Sequence, residues 1–262
     1  MRQVTDTAAV VLAPNPGPMT LDGTNTWVLR APGAQSCIVV DPGPLIEQHL
    51  VAVAAQGPVA VVLLTHGHAD HSAGANRVAE LTGARVRALD PAHRLGEQGL
   101  GEGDVVAEAG LELHVLATPG HSSDSLSFVL VSGGANSAVL TGDTILGRGS
   151  TVVAHPDGVL GDYLDSLRRL QELGELTVLP GHGPELPSAG IAAEHYLRHR
   201  AARLEQVRSA LAGGASTPQQ VVTAVYADVD RALWPAATLS VRAQLDFLAG
   251  HDRPAGPGPR RS

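Results

Sequence analysis

Short apolar runs alternate along the chain with glycine- and proline-rich turns and with longer amphipathic stretches. Thr26-Trp27-Val28-Leu29 and Ser36-Cys37-Ile38-Val39-Val40 read as paired strands, divided by the turn Ala31-Pro32-Gly33-Ala34. Residues 45–55 have helical spacing. Residues 59–64 form an apolar run of buried-strand length, and 74–83 suit a helix stopped by a glycine. A short strand follows at 86–89. The second half repeats this style, with strands at 111–116, 126–131, 138–140 and 176–179 and an amphipathic helix at 163–173. Strand–helix alternation in two halves predicts an α/β layered sandwich with its site at one sheet edge.

After residue 190 the texture changes to a long, Arg-rich helical pattern at 191–211. Gly213-Gly214-Ala215-Ser216-Thr217-Pro218 breaks it, and Ser216 or Thr217 is placed to cap a helix beginning at Pro218. Further helices are expected near 218–226 and 236–249. The expected division is a main domain over 1–190, a linking helix and small helical domain over 191–250, and a Pro/Gly-rich disordered tail over 251–262.

Composition narrows the function classes. At 44% hydrophobic and 17% charged, the 262 residues suit a globular chain with a full core. Aromatics make up only 3%, which argues against a base-stacking RNA platform. Cys37 is the only cysteine, so an internal disulfide and a Cys-based zinc site are both excluded. No apolar stretch of signal-peptide or membrane-spanning length is present, so a cytoplasmic protein with no membrane partner is expected. The net charge of −8 is uneven: 9 Arg and 20 Asp/Glu in residues 1–190, against 9 Arg and 6 Asp/Glu beyond. Bound cations would offset part of the acidic excess.

The chemistry sits at the ends of the strands. His66-Gly67-His68-Ala69-Asp70-His71 follows the run at 59–64. His121, Asp143 and His182 close later strands in Thr118-Pro119-Gly120-His121, Thr141-Gly142-Asp143 and Pro180-Gly181-His182. Clustered imidazoles and carboxylates are suited to zinc. Seven groups are too many for one tetrahedral ion. They suit two Zn²⁺ with three ligands each and one bridging carboxylate, a pair able to share a hydroxide and clamp a substrate oxygen. Mn²⁺ or Fe also suits a His/Asp set. No Gly-x-Ser-x-Gly elbow offers a competing nucleophile. His49, His93, His114, His155, His195 and His251 lack such a setting and read as surface or hydrogen-bonded core histidines.

On His-x-His-x-Asp-His and the distant His, Asp and His, the chain resembles the metallo-β-lactamase superfamily over roughly residues 20–185. The resemblance implies an αββα sandwich. It also implies one metal on His66, His68 and His121, a second on Asp70, His71 and His182, and Asp143 as the bridge. Asp70 and Asp143 would be catalytic as well as ligating. Asp41, in Val39-Val40-Asp41-Pro42-Gly43, matches an aspartate that supports the ligand loop. The segments 15–27, 142–151 and 180–203 are similar to the lactamase-beta-like endoribonuclease subgroup, which adds a small winged-helix-like C-terminal domain. That likeness implies a metal-bridging hydroxide cutting single-stranded RNA.

Under the RNA reading, Arg148, Arg200 and Arg203 are candidates to hold phosphates, because guanidinium forks suit them. Thr24, Asn25 and His199 are candidates to touch substrate. The alternative is a small acyl substrate: thioester hydrolysis of the glyoxalase II kind, or lactone hydrolysis. The absence of Lys speaks against a glutathione site like that of glyoxalase II. A metal-binding protein without activity is the third reading. Oligomeric state is not encoded in any of these features.

Overall fold

The computed structural model describes residues 1–250, so the expected disordered tail and His251 lie outside the described residues. One sheet runs in the order β1 (Arg2–Gln3), β2 (Ala8–Leu12), β3 (Asn25–Leu29), β4 (Cys37–Val40), β5 (Val59–Leu63) and β6 (Arg85–Arg87). The other contains β7 (Val105–Glu108), β8 (Leu111–Ala117), β9 (Leu126–Ser132), β10 (Ala135–Gly142) and β11 (Thr177–Pro180), in the order β11-β10-β9-β8-β7. The helices are α1 (Glu47–Ala54), α2 (Ala69–Ser72), α3 (Ala75–Thr82), α4 (Leu160–Gln171), α5 (Ala189–Ala212), α6 (Pro218–Val225) and α7 (Trp234–Leu248).

The layers follow from side-chain alternation. In β4, Ile38 and Val40 enter the core between the sheets, while Cys37 and Val39 enter the core under α1 and α3. In β9 and β10, Phe128, Leu130 and Leu140 face the first sheet, while Val129 and Val139 face α4 and α5. Both faces of each sheet are therefore buried, which explains the continuous apolar runs. In β8, Leu111, Leu113 and Val115 point inward while Glu112 and His114 stay in water, as its alternation predicts. The result is the αββα sandwich.

Local chemistry sets the helix ends. Gly83 closes α3 in the left-handed conformation at φ 74°, which glycine adopts without penalty. Thr217 caps α6 in a reciprocal capping box with Gln220, with Pro218 in the first turn. Helix α5 serves two cores: Ala193 and Tyr196 pack on α4, while Val207 packs with Val221, Val222 and Val241 of the C-terminal helices. Among the described residues no strand follows β11, so the C-terminal domain is helical throughout and has no wing hairpin. Strands β1, β2 and β7 and the short helix α2 were not expected from the pattern. β1 and β7 lie at sheet edges, where half the positions face water and little alternation survives.

Candidate metal centre and the cleft beside it

Five strands converge on the centre through their C-terminal ends. The end of β4 delivers Asp41, β5 delivers Thr65 and His66, and α2, which follows directly, carries Asp70 and His71. The ends of β8, β10 and β11 deliver His121, Asp143 and His182. Gly181 permits the close approach. A Cβ there would lie 2.6 Å from Asp143 Oδ1 and 2.7 Å from His71 Cε1.

All seven predicted ligand candidates meet here. Three sets have their ligand atoms within 4.8 Å of one another: His66, His68 and His121; His66, His71 and Asp143; and Asp70, His71 and His182. His68 Nδ1 stands 3.0 Å from His66 Nε2 and 2.9 Å from His121 Nε2. His71 Nε2 stands 3.2 Å from His182 Nε2. Asp143 lies between the groups. Its Oδ1 is 3.3 Å from His71 Nε2 and 3.4 Å from His182 Nε2, and its Oδ2 is 3.7 Å from His121 Nε2. Asp70 Oδ2 is 3.1 Å from His182 Nε2.

The outer nitrogens are already engaged. His71 Nδ1 donates to Asp41 Oδ2 at 2.9 Å, His121 Nδ1 to Val152 O at 2.7 Å and His182 Nδ1 to Gly23 O at 3.1 Å. Thr65 Oγ1 donates its proton to Asp41 Oδ2 at 2.7 Å, so it accepts from His66 Nδ1 at 3.0 Å. These bonds fix the tautomer, leaving the Nε2 lone pairs of these rings pointing inward. Lone pairs converging at such separations need a cation between them. Asp143 Oδ1, buried without a hydrogen-bond partner, asks for the same thing. The donor set therefore fits bound divalent metal.

The electrostatics agree. Burial holds His66 and His121 below the ordinary imidazole range. Burial also opposes a charge on His71 and His182, yet Asp143 and Asp41 raise His71 well above its ordinary value. Asp143 and Asp70 push His182 up to about 9. Asp143 is held well below the carboxylate range by His71 and His182, against its own burial. The pocket draws positive charge strongly.

A cleft of about 300 Å³ opens beside His121 and Asp143, between the sandwich and α5–α7. Arg148, His199, Arg200 and Arg203 line it, but the three guanidinium groups are committed. Arg148 pairs with Asp22, Nη1 to Oδ2 at 2.5 Å. Arg200 is 2% exposed, donates to Thr151 O at 2.5 Å and lies over the Tyr163 ring. Arg203 donates to Val225 O at 2.7 Å and lies over Tyr226. His199 is half-buried with its Nδ1 unpartnered, and burial together with Arg200 and Arg203 lowers it to about 4.

Two expectations are corrected. Thr24 and Asn25 do not line the cleft. Thr24 is fully buried and exchanges hydrogen bonds with Asn15, while the Asn25 amide donates to Pro180 O and Gly183 O. Both serve the turn that carries His182. Sequence reasoning also missed Thr65, Val152 and Ser240. Thr65 was findable from its place before His66. Val152 acts through its backbone carbonyl, which no residue type signals.

Residues 19–182 match the family model described as the metallo-beta-lactamase superfamily, and residues 217–253 match the beta-lactamase associated winged helix domain. A beta-lactamase-like protein 2 homolog of Caenorhabditis elegans is 30% identical over 261 residues, covering 95% of this chain and 86% of that protein. An atrochrysone carboxyl ACP thioesterase of Aspergillus fumigatus is 33% identical over 240 residues, covering 82% of this chain and 72% of that one. The crystal structure of a metallo-beta-lactamase family protein from Thermus thermophilus superposes with a TM-score of 0.78 at 23% identity, covering 94% of each chain, a likeness of fold.

Proposed function

We propose a function from one premise: this chain belongs to the metallo-β-lactamase superfamily, and is a metal-dependent hydrolase. Its substrate in our reading is a small acyl compound, a thioester or ester, whose acyl portion occupies the cleft between the domains. The observation that carries this is the cleft wall. Met19, Leu21, Leu146, Val229, Leu233 and Ala237 make it largely apolar, and the guanidinium groups beside it are already hydrogen-bonded within the protein. Apolar walls with few convergent polar groups suit a small ligand better than a phosphodiester backbone. The similarity to a protein named as an acyl-carrier thioesterase supports the same reading.

In this proposal His66, His68 and His121 would hold one Zn²⁺, Asp70, His71 and His182 would hold a second, and Asp143 would serve both. Mn²⁺ or Fe would be accepted by the same donors. When bound, the two cations supply a nucleophile from water at neutral pH and polarise the scissile carbonyl. Asp41 holds His71 and Thr65, and through Thr65 it orients His66. Asp70 is the more exposed of the two carboxylates, at 29% against 10% for Asp143. It is therefore placed to accept the proton lost by the attacking water and pass it to solvent. His199, kept neutral, adds an uncharged ring to the cleft wall.

The second reading is cleavage of single-stranded RNA, favoured by the presence of Arg148, His199 and Arg203 on the same cleft. One experiment separates the two. Zinc-loaded protein is given acyl thioesters, with thiol release followed, and single-stranded RNA in parallel, each with a chelated sample and Asp143→Ala as controls. Thiol release lost in both controls is the expected result. RNA cleavage lost in both controls, without thiol release, would replace the acyl reading with the second.

A further inference from the structure

Residues 151–155 run between the sandwich and the C-terminal helices and touch both. On the inner side they hold His121. Val152 O accepts from His121 Nδ1 at 2.7 Å, Thr151 Oγ1 lies 3.3 Å from that nitrogen, and Ala154 N donates to His121 O at 3.1 Å. On the outer side they are held by α5 and α7. Arg200 donates to Thr151 O at 2.5 Å, Ser240 Oγ accepts from Val153 N at 3.2 Å, and His155 Nε2 meets Asp246 Oδ2 at 2.8 Å.

A second route reaches the same histidine. Arg200 lies 4.9 Å over the Tyr163 ring, and the Tyr163 backbone packs against Gly120 so closely that a Cβ there would come within 2.3 Å of Tyr163 Cα. The rings of the other triad make their outer hydrogen bonds within the sandwich, His71 to Asp41 and His182 to Gly23 O; α5 reaches the backbone of His182 instead, through Tyr196 Oη on Leu146 N and O and Gly147 N on His182 O.

We propose that the C-terminal helical domain positions His121, and through it the cation site of the His66/His68/His121 triad. Arg200 and Ser240 fix the 151–155 segment, and the segment fixes the imidazole of His121. Through these two side chains, docking of α5 and α7 sets the affinity for the cation on that triad more strongly than on the other, whose rings they do not hold. Arg200 and Ser240 are positioning residues, acting through backbone atoms. The inference rests on the two-cation centre proposed above, and is independent of whether the substrate is acyl or RNA. A ligand histidine held at its outer nitrogen binds metal in a fixed tautomer and orientation, and losing that support costs roughly 10–100-fold in metal affinity. Linkage adds the converse: filling this triad must tighten the docking of the helices.

The test is a Zn²⁺ titration of the metal-free full chain against a competing chelator, resolving two stepwise affinities. His121→Ala identifies the step that belongs to the first triad. Arg200→Met is expected to weaken that step about tenfold and the second clearly less, with Ser240→Ala shifting the first step by a smaller factor. Arg208→Ala, an exposed residue of α5 paired with Glu205, is expected to change neither. Ser240→Ala removes a single hydroxyl, and it carries the test if Arg200→Met fails to fold. Hydrogen exchange in α7 is expected to slow when the first-triad step fills in wild type, and not in His121→Ala. Two steps unchanged in both variants, or weakened equally, would overturn the inference. Fewer than two equivalents bound by wild type would instead overturn the two-cation centre, and the inference with it.

Discussion

The rings of His71 and His182 are held at their outer nitrogens by groups of the sandwich, whereas His121 of the other triad leans on a segment shared with the C-terminal helices. The anchors differ in kind as well as place. His71 donates to the buried carboxylate of Asp41, which also accepts from Thr65 N at 2.8 Å and from Thr65 Oγ1. His121 donates to the neutral carbonyl of Val152. A charge-assisted bond is roughly twice as strong as a neutral one. It is set here on Asp41, whose φ of 51° is unusual for a residue other than glycine and is retained only where surrounding bonds over-determine it. The rings of His71 and His182 are thus held by the sandwich, and His121 is the member of the first triad open to influence from the cleft and the C-terminal helices.

The largest effect should come from removing what the triads share. Asp143→Ala withdraws an oxygen from each and is expected to lower hydrolysis by ~10³-fold or more and to reduce zinc stoichiometry below two. An unchanged rate with two zinc ions bound would show that the triads do not meet at Asp143.

Crowding the core-anchored triad comes next. The Cβ of Gly181→Ala would overlap Asp143 Oδ1 and the His71 ring, so zinc affinity at the second triad should fall by roughly 10–100-fold. Equal loss at both steps would mean that the shift of Asp143 dominates over that of His71.

Asp41→Asn sharpens the contrast between anchors. It keeps the size and removes the charge, leaving a buried N–H of His71 or Thr65 poorly matched. Unfolding free energy should drop by about 2 kcal/mol, and the second-triad zinc step should weaken about tenfold with the first less affected. Chelator titration and denaturant unfolding measure the two. A stability loss with both zinc steps intact would make Asp41 a fold residue only.

The smallest effect concerns the wall next to the first triad. His199 is lowered from 6.5 to about 4 by burial and by Arg200 and Arg203. The unfolded chain therefore takes up its proton first, and folding stability contributed by the neutral ring is lost as pH falls from 6.5 towards 4. Since His199 is only half-buried, solvent screening limits the contribution to about 1 kcal/mol. His199→Gln should flatten the stability–pH curve over that window, and identical curves would show that the ring protonates without cost.

Much of the molecule was legible in advance. The ligand run His66 to His71 stood out because its spacing is local, and the distant ligands because each closes an apolar run beside a glycine. Gly83 as a helix stop and a cap at Ser216 or Thr217 were legible for the same reason, both acting within a few residues of themselves; the structure uses Thr217. The arginines were not. Sequence offered Arg200 and Arg203 as free cations on a helix face, and the fold turned them inward onto Thr151 O and Val225 O. Thr24 and Asn25 were candidates for substrate contact and proved to be hydrogen-bonding elements of a turn.

By itself, then, the sequence determined the layers, the strand ends and the donor set, because side-chain periodicity and residue chemistry are carried in the chain. Only the tertiary structure decided which donors face one another across Asp143, that α5 belongs to two cores, and that backbone carbonyls of Gly23 and Val152 orient two of the rings. Periodicity reports that a face is buried without naming its partner, and every residue carries the same carbonyl. Contacts of that kind exist only once distant segments have been packed together.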